Sequence, residues 1–388
     1  MTHLHTKRLG ALVLIAGVAV AACSGSATSA PSDSSGAGAS AGASESAGAS
    51  GPAGAIPTPP SGDVSLQGAG ATFPAPLYGV WIETYSGTYP NVKIDYQANG
   101  SGAGIKAITQ GTVDFGASDA AMKDEEIAAI PAGKTILHIP TALGAVVATY
   151  NLPGVTALNL DGPTLANIYL GTIKSWNDPA IAALNAGVTL PNTPIQVVHR
   201  SDGSGTTNAF TTYLSAVSPD WQSKVGAGKE VNWPTGIGAK GNDGVATAVK
   251  QNEGAIGYVE LNYAQQSQLP MASLKNAAGN FVVPSTASVT AAAEAAVADV
   301  PADLRAKPIV NAAGDQAYPL AAYTYLLVYK DQADATKGQA LVSYIAWALT
   351  DGQGMEEQLG YAPLPAAIQS KALAELHTIT AGGSPIWP

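Results

Sequence analysis

The sequence predicts an α/β protein, on three observations. Strand, glycine-rich turn and helix succeed one another at residues 64–89, 92–110 and 195–214. Between the short apolar strands, Tyr78, Trp81, Ile82, Tyr85 and Tyr89 recur at i, i+3, i+4, i+7 and i+11, the signature of one helix face. The 388 residues are 46% hydrophobic and only 12% charged, which suits a well-packed chain of two domains at roughly 100–200 residues each. Ligands of such folds sit beyond the carboxyl ends of the strands, so the glycine turns are where function is expected.

The folded part is expected to begin at Asp63. Val64-Ser65-Leu66 alternates as a strand, and Pro74 and Pro76 fit the first turn of the helix after it, where a missing N–H costs little. Thr72 and Phe73 then offer N–H groups at a helix start. A second strand at 92–96 leads through Asn99-Gly100-Ser101-Gly102-Ala103-Gly104, read as a flexible turn, into a short helix at 105–110. Ser101 could cap that helix or give its hydroxyl to a ligand. The strand at 113–117 ends at Ser118-Asp119, ahead of a helix at 123–130. Apolar runs at 136–139 and 145–150 read as two strands flanking Pro140-Thr141. Helical patterns follow at 162–170, 179–184, 243–251 and 287–300, and strands at 195–198, 254–258 and 320–328. Helices at 338–349 and 365–376 close the chain.

The densest chemistry is His199-Arg200-Ser201-Asp202-Gly203-Ser204-Gly205-Thr206-Thr207, followed by a helix from 206 to 214. Helix-start N–H groups lack intrahelical partners, and the helix dipole adds positive charge there. A guanidinium beside them is a fork of donors matched to an oxyanion. The stretch reads either as an oxyanion cradle or simply as an N-capped helix after a turn. Asp119 bears on that choice. Beside an anion site a carboxylate repels the ligand, unless the ligand brings a proton. Phosphate keeps one near neutral pH, with a second pKa of about 6, and sulfate has none. A site built around such a bond rejects analogues lacking it by roughly 10⁴–10⁵. The alternative is that Asp119 caps the next helix or pairs with Arg200.

Other motifs carry less. Residues 236–241 match G-x-G-x-x-G but follow Trp233-Pro234 instead of an apolar strand, so no dinucleotide cofactor is expected. Gly133-Lys134-Thr135 lacks the leading glycine of a P-loop, because Ala128 stands there. Ser204 is no nucleophile elbow, since Asp202 replaces its first glycine. His199 is expected to be structural, because adjacent strand residues point to opposite faces. His138 and His377 have no cluster at ligand spacing, so no metal site is expected. Glu294, Glu356 and Glu357 read as solvated faces. A net charge of −10 without a basic run argues against a nucleic-acid partner.

Residues 1–22 read as an export signal, with a basic n-region and an apolar run too short for a confident membrane span. Cys23, the only cysteine, follows Val20-Ala21-Ala22 and excludes an internal disulfide. The arrangement resembles the lipobox of bacterial lipoproteins, in which the cysteine is diacylated; the other reading is an ordinary secreted chain. Two acyl chains suffice for stable anchoring. Residues 23–62 are nearly all Ser, Gly, Ala and Pro and read as a flexible tether.

Taken together, residues 68–76 (GAGATFPAP), 113–119 (VDFGASD), 202–206 (DGSGT), 240–244 (KGNDG) and 254–260 (GAIGYVE) resemble the phosphate-binding protein of the bacterial high-affinity phosphate ABC transporter, from about Asp63 to the C-terminus. The resemblance implies a two-lobed periplasmic-binding-protein (flytrap) fold with a ligand cleft between the lobes. Its phosphate contacts fall on Thr72, Phe73, Ser101, Asp119, Arg200, Ser204, Gly205 and Thr206, and Asp202 would orient the arginine. The family's Ser-Ser-Gly-Gly turn reads Ser101-Gly102-Ala103-Gly104 here, with the second serine lost. Chain crossings near Thr141 and Gly314 would make residues 63–141 plus 315–388 one lobe and 142–314 the other. The implied protein is a monomer without catalytic residues, cofactor or metal. It is lipid-anchored through Cys23 on the extracytoplasmic face of the cell membrane and delivers inorganic phosphate to an ABC transporter permease. The rival functions are a receptor for another tetrahedral oxyanion, a phosphoester hydrolase, or a surface interaction protein.

Overall fold

A computed structural model describes residues 56–388. The export signal, Cys23 and the tether as far as residue 55 lie outside the described residues. The first elements are β1 (Val64–Gly70), α1 (Ala75–Thr88), β2 (Val92–Ala98), α2 (Ser101–Thr109), β3 (Phe115–Ser118), α3 (Asp124–Ala128) and β4 (Ile136–Tyr150). Then come β5 (Asn159–Leu160), α4 (Gly162–Tyr169), α5 (Pro179–Leu184), β6 (Gln196–Arg200), α6 (Gly205–Val217), α7 (Pro219–Lys224), β7 (Ile237–Ala239), α8 (Gly241–Gln251), β8 (Ala255–Glu260) and α9 (Leu261–Gln266). The chain ends with β9 (Ser273–Lys275), β10 (Phe281–Val282), α10 (Thr286–Ala295), β11 (Ile309–Val310), β12 (Leu320–Tyr329), β13 (Asp331–Gln332), α11 (Ala335–Ala348), α12 (Ala366–His377), β14 (Thr380–Ala381) and β15 (Ser384–Pro385). Among the described residues no helix is long and apolar enough to cross a membrane.

The main sheet runs β2-β1-β3-β12-β4-β8-β6-β7, with β11 on β12. Parallel pairing holds β2, β1 and β3 at one end and β8, β6 and β7 at the other. Antiparallel β4 joins them, pairing first with β12 and then, from Val146, with β8. The α/β molecule thus has two sets of parallel strands joined through the long antiparallel strands β4 and β12. α1 buries Leu77, Tyr78, Trp81 and Tyr85, the face its 3.6-residue period predicted.

Four sequence expectations need correction. β4 is one strand through Pro140, not two. Thr324 pairs with Ala142 and Tyr325 with Pro140, which leaves Thr141 as the extra residue of a bulge. A proline without an N–H is tolerated where the ladder is already interrupted. Ser101-Gly102-Ala103-Gly104 is no flexible turn but the first turn of α2. A Cβ on Gly104 would lie 2.6 Å from the Gly70 Cα, so glycine there serves close helix–sheet packing. The last residues assigned to the tether are held against the folded part. Ile56 packs on the core, and the carbonyls of Thr58, Pro60 and Gly62 accept bonds from Gln339 and Asn91. Glu356 is buried instead of solvated, its carboxylate accepting from Gln353 Nε2 at 2.7 Å, and burial raises its pKa well above the ordinary value. A smaller difference is α10, which stops at Ala295 before a single turn leading to Pro301, a residue that disfavours helix just ahead of it.

Candidate functional site: a buried oxyanion cradle

The predicted residues follow the carboxyl ends of strands from two separate parallel sets: Thr72 and Phe73 after β1, Ser101 after β2 and Asp119 after β3 in one, and Arg200 to Thr206 at the end of β6 in the other. Segments that leave a parallel set gather at its carboxyl edge, and the contacts between residues after β2 and after β6 bring the two edges face to face. Here they touch. Ser101 Oγ accepts the Gly205 N–H at 3.0 Å, and the Gly102 N–H donates to the Gly203 carbonyl at 2.9 Å. Gly205 is required by this approach, since a Cβ there would lie 2.5 Å from the Asp119 Cβ.

On the β6 side, Arg200 is only 3% exposed. Its Nε and Nη2 donate to the two carboxylate oxygens of Asp202 at 2.8 and 2.5 Å, a bidentate fork that fixes the guanidinium. Asp202 also accepts the Gly241 N–H at 3.0 Å. Burial pushes its pKa up, but the bonds and charge of Arg200 outweigh burial and hold it below the ordinary value. The remaining nitrogen, Arg200 Nη1, is buried without a partner among the described residues. Ser204 caps α6, its Oγ accepting the Thr207 N–H at 3.0 Å. The capped-helix reading thus holds at Ser204. His199 stacks on Trp233 with ring centroids 4.7 Å apart, as a structural residue would.

On the other side, the Thr72 and Phe73 carbonyls are occupied by the Tyr263 and Tyr361 hydroxyls. No acceptor is found among the described residues for the N–H groups of Thr72, Phe73, Ser101 and Thr206. Backbone donors left open in a buried place are rare and call for a partner. Ser101 does not cap α2, whose N-cap is Gly100. Its oxygen accepts the Asp119 N–H and donates to Asp119 Oδ2, each at 3.3 Å.

Asp119, 3% exposed, neither caps α3, whose N-cap is Lys123, nor bonds Arg200. Thr324 Oγ1 donates to its Oδ1 at 2.9 Å. Burial pushes its pKa up to about 7, against the opposing pull of Thr324, Arg200 and Ser101. Arg200 and Asp119 are the two buried charged side chains among the predicted site residues.

Three residues of the site escape sequence reasoning. Asn242, at the start of α8, donates through Nδ2 to Thr72 Oγ1 at 2.9 Å and Thr206 Oγ1 at 3.2 Å, joining the two sides. It lies within the KGNDG stretch, but its own role has no local signature. Thr324 leaves one faint signal, a small polar residue in an apolar strand. Lys229 gives its carbonyl to the Ser204 N–H at 3.0 Å, and its ammonium meets Glu126 at 2.6 Å. Among the described residues no cluster of His, Cys, Asp and Glu could hold a metal. His138 accepts the Met122 N–H, and His377 stacks on Trp387.

A family model described as a PBP superfamily domain matches residues 27–351. The phosphate-binding protein PstS of Xylella fastidiosa is 44% identical over 314 residues, covering 79% of this chain and 85% of that protein. The PstS of Pasteurella multocida is 44% identical over 327 residues, covering 83% and 93%. A crystal structure of a phosphate binding protein from Stenotrophomonas maltophilia shares the fold at a TM-score of 0.62 and 20% identity, over 80% of this chain and 93% of that one. Matched over most of its length by this family model and these relatives, the chain belongs to the PstS phosphate-binding proteins of the PBP superfamily.

Proposed function

We propose that this chain captures inorganic phosphate outside the cytoplasm and delivers it to an ABC transporter permease. The observation that carries the reading is the buried, unpartnered Arg200 Nη1 beside open backbone donors and a single carboxyl acceptor. The donors match oxyanion oxygens, and a phosphate that keeps a proton can give it to Asp119. Sulfate would instead set two acceptors against each other. Thr72, Phe73, Ser101 and Asp119 serve as one jaw, and Arg200, Ser204, Gly205 and Thr206 as the other, with Asp202 orienting the arginine. The PstS relatives are named for phosphate binding, in keeping with this assignment.

Residues 63–141 with 315–388 form one lobe in this reading and 142–314 the other, closing on the anion by hinge motion. Cys23 carries the lipid anchor, residues 24–55 form the tether, and the protein works as a monomer. Loss of palmitate labelling in Cys23→Ala tests the anchor. The chain is a binding protein, not an enzyme: Ser204 Oγ is engaged by its helix, and His199 by Trp233. Calorimetric titration with phosphate and then sulfate tests the whole reading. Tight phosphate and weak sulfate binding is the expected result. Equal affinities would overturn the role of Asp119, and indifference to both would overturn the function.

A further inference from the structure

We propose that Thr324 is a positioning residue for anion selectivity, holding the Asp119 carboxyl in place and tying it to the strands that cross between the lobes. This rests on the phosphate reading above. Thr324 is fully buried on β12, flanked by Tyr323 and Tyr325, whose side chains alternate to the other face of the strand. Its hydroxyl has one proton, and that proton goes to Asp119 Oδ1 at 2.9 Å. Asp119 Oδ2 has only the longer 3.3 Å bond from Ser101, whose own oxygen already accepts the Gly205 and Asp119 N–H groups. Thr324 thus pins one carboxylate oxygen and leaves the other as the one able to accept a ligand proton. A carboxyl free to rotate about its terminal torsion, which is broad and soft, would not keep that distinction.

The backbone of Thr324 lies at the irregular point of the molecule. Pairing between β12 and β4 shifts between Thr324 and Tyr325, opposite the bulged Thr141. Thr141 Oγ1 donates to the Thr324 carbonyl at 3.3 Å and lies 2.7 Å from the Tyr78 hydroxyl. A chain of bonds therefore runs from α1 through the bulge and Thr324 to Asp119. Any movement of the crossing strands is transmitted to the one acceptor of the site, so carboxyl orientation and lobe position are set together.

The test measures phosphate and sulfate affinity, the latter by competition at high sulfate, for the full chain and for Thr324→Val, Thr324→Ala and Thr324→Ser. Loss of a hydrogen bond to a charged group should weaken phosphate binding on the order of tenfold in Thr324→Val and Thr324→Ala. Sulfate affinity should not fall with it, so the selectivity ratio narrows, and Thr324→Ser should restore both values. In an Asp119→Asn background the same substitutions should change phosphate binding little, because interacting residues are not additive. A ratio unchanged in both the valine and alanine variants overturns the proposal, as do losses that simply add to that of Asp119→Asn. If the unsubstituted chain fails to bind phosphate, the functional reading falls instead.

Discussion

The two sides of the cradle solve opposite halves of one problem. The β6 side carries a permanent positive charge, held in a bidentate pair by Asp202. On the side formed after β1, β2 and β3 the buried carboxyl of Asp119 is held by two hydroxyls. Charge attracts every oxyanion, whereas a lone acceptor distinguishes among them. The difference teaches that affinity and selectivity can be separated by substitution.

Arg200→Ala should break the comparison most severely. It removes the charge and leaves Asp202 without its partner, and losing one member of a buried pair costs about 3–5 kcal/mol. Phosphate and sulfate binding should fall together by calorimetry; a loss confined to phosphate would contradict the division of labour. Asp202→Asn should weaken both anions by a smaller amount, about 1.5–3 kcal/mol, through disorder of the guanidinium. A retained affinity would show that Arg200 is oriented by other contacts.

Asp119→Asn should mainly narrow the phosphate-to-sulfate ratio. It also has a pH signature. Burial raises the folded pKa from 3.8 to about 7, so the folded form holds a proton that the unfolded chain has released between those values. The stabilising contribution of this group is fully present below pH 3.8 and is lost as pH rises through about 7. The full shift corresponds to a contribution on the order of 4 kcal/mol. Thermal unfolding of the ligand-free protein should therefore lose this increment between acid and pH 8, and Asp119→Asn should lack it. Below pH 7 the protonated carboxyl can donate, so sulfate affinity should rise as pH falls, and not in Asp119→Asn.

The smallest effect belongs to the rim. Lys229 and Glu126 meet at 2.6 Å across the two sides, and the same Lys229 backbone holds Ser204. The Glu126 carboxylate is partly exposed, which screens the pair, so Glu126→Gln should cost about 1 kcal/mol. Stopped-flow measurement should show faster phosphate release with little change in selectivity. A change in selectivity would mean that the rim and the acceptor are coupled.

The local features of both sides could be read from the chain itself. The pairing of Arg200 with Asp202 is implied by the family resemblance, whereas the helix period at Tyr78, Trp81 and Tyr85 and the capped helix after residues 199–204 depend on residues close in sequence. Backbone geometry and side-chain chemistry settle such contacts without the rest of the protein. Tertiary structure decided what depends on distant segments. Pro140 interrupts a sequence pattern, yet β12 supplies a ladder in which the bulge absorbs it. Glu356 has the composition of a surface residue and is nonetheless enclosed with Gln353. Ser101 offers the local role of a helix cap, yet Gly100 is the N-cap and the Ser101 hydroxyl is taken up by Gly205 and Asp119, which come from other segments. Asn242 and Thr324 acquire their partners from segments far along the chain, Thr72 and Asp119 respectively. The sequence alone determined which groups could bind an oxyanion. Folding decided which of them are buried together, because desolvation and hydrogen-bond partnership are properties of a place in the fold rather than of a residue type.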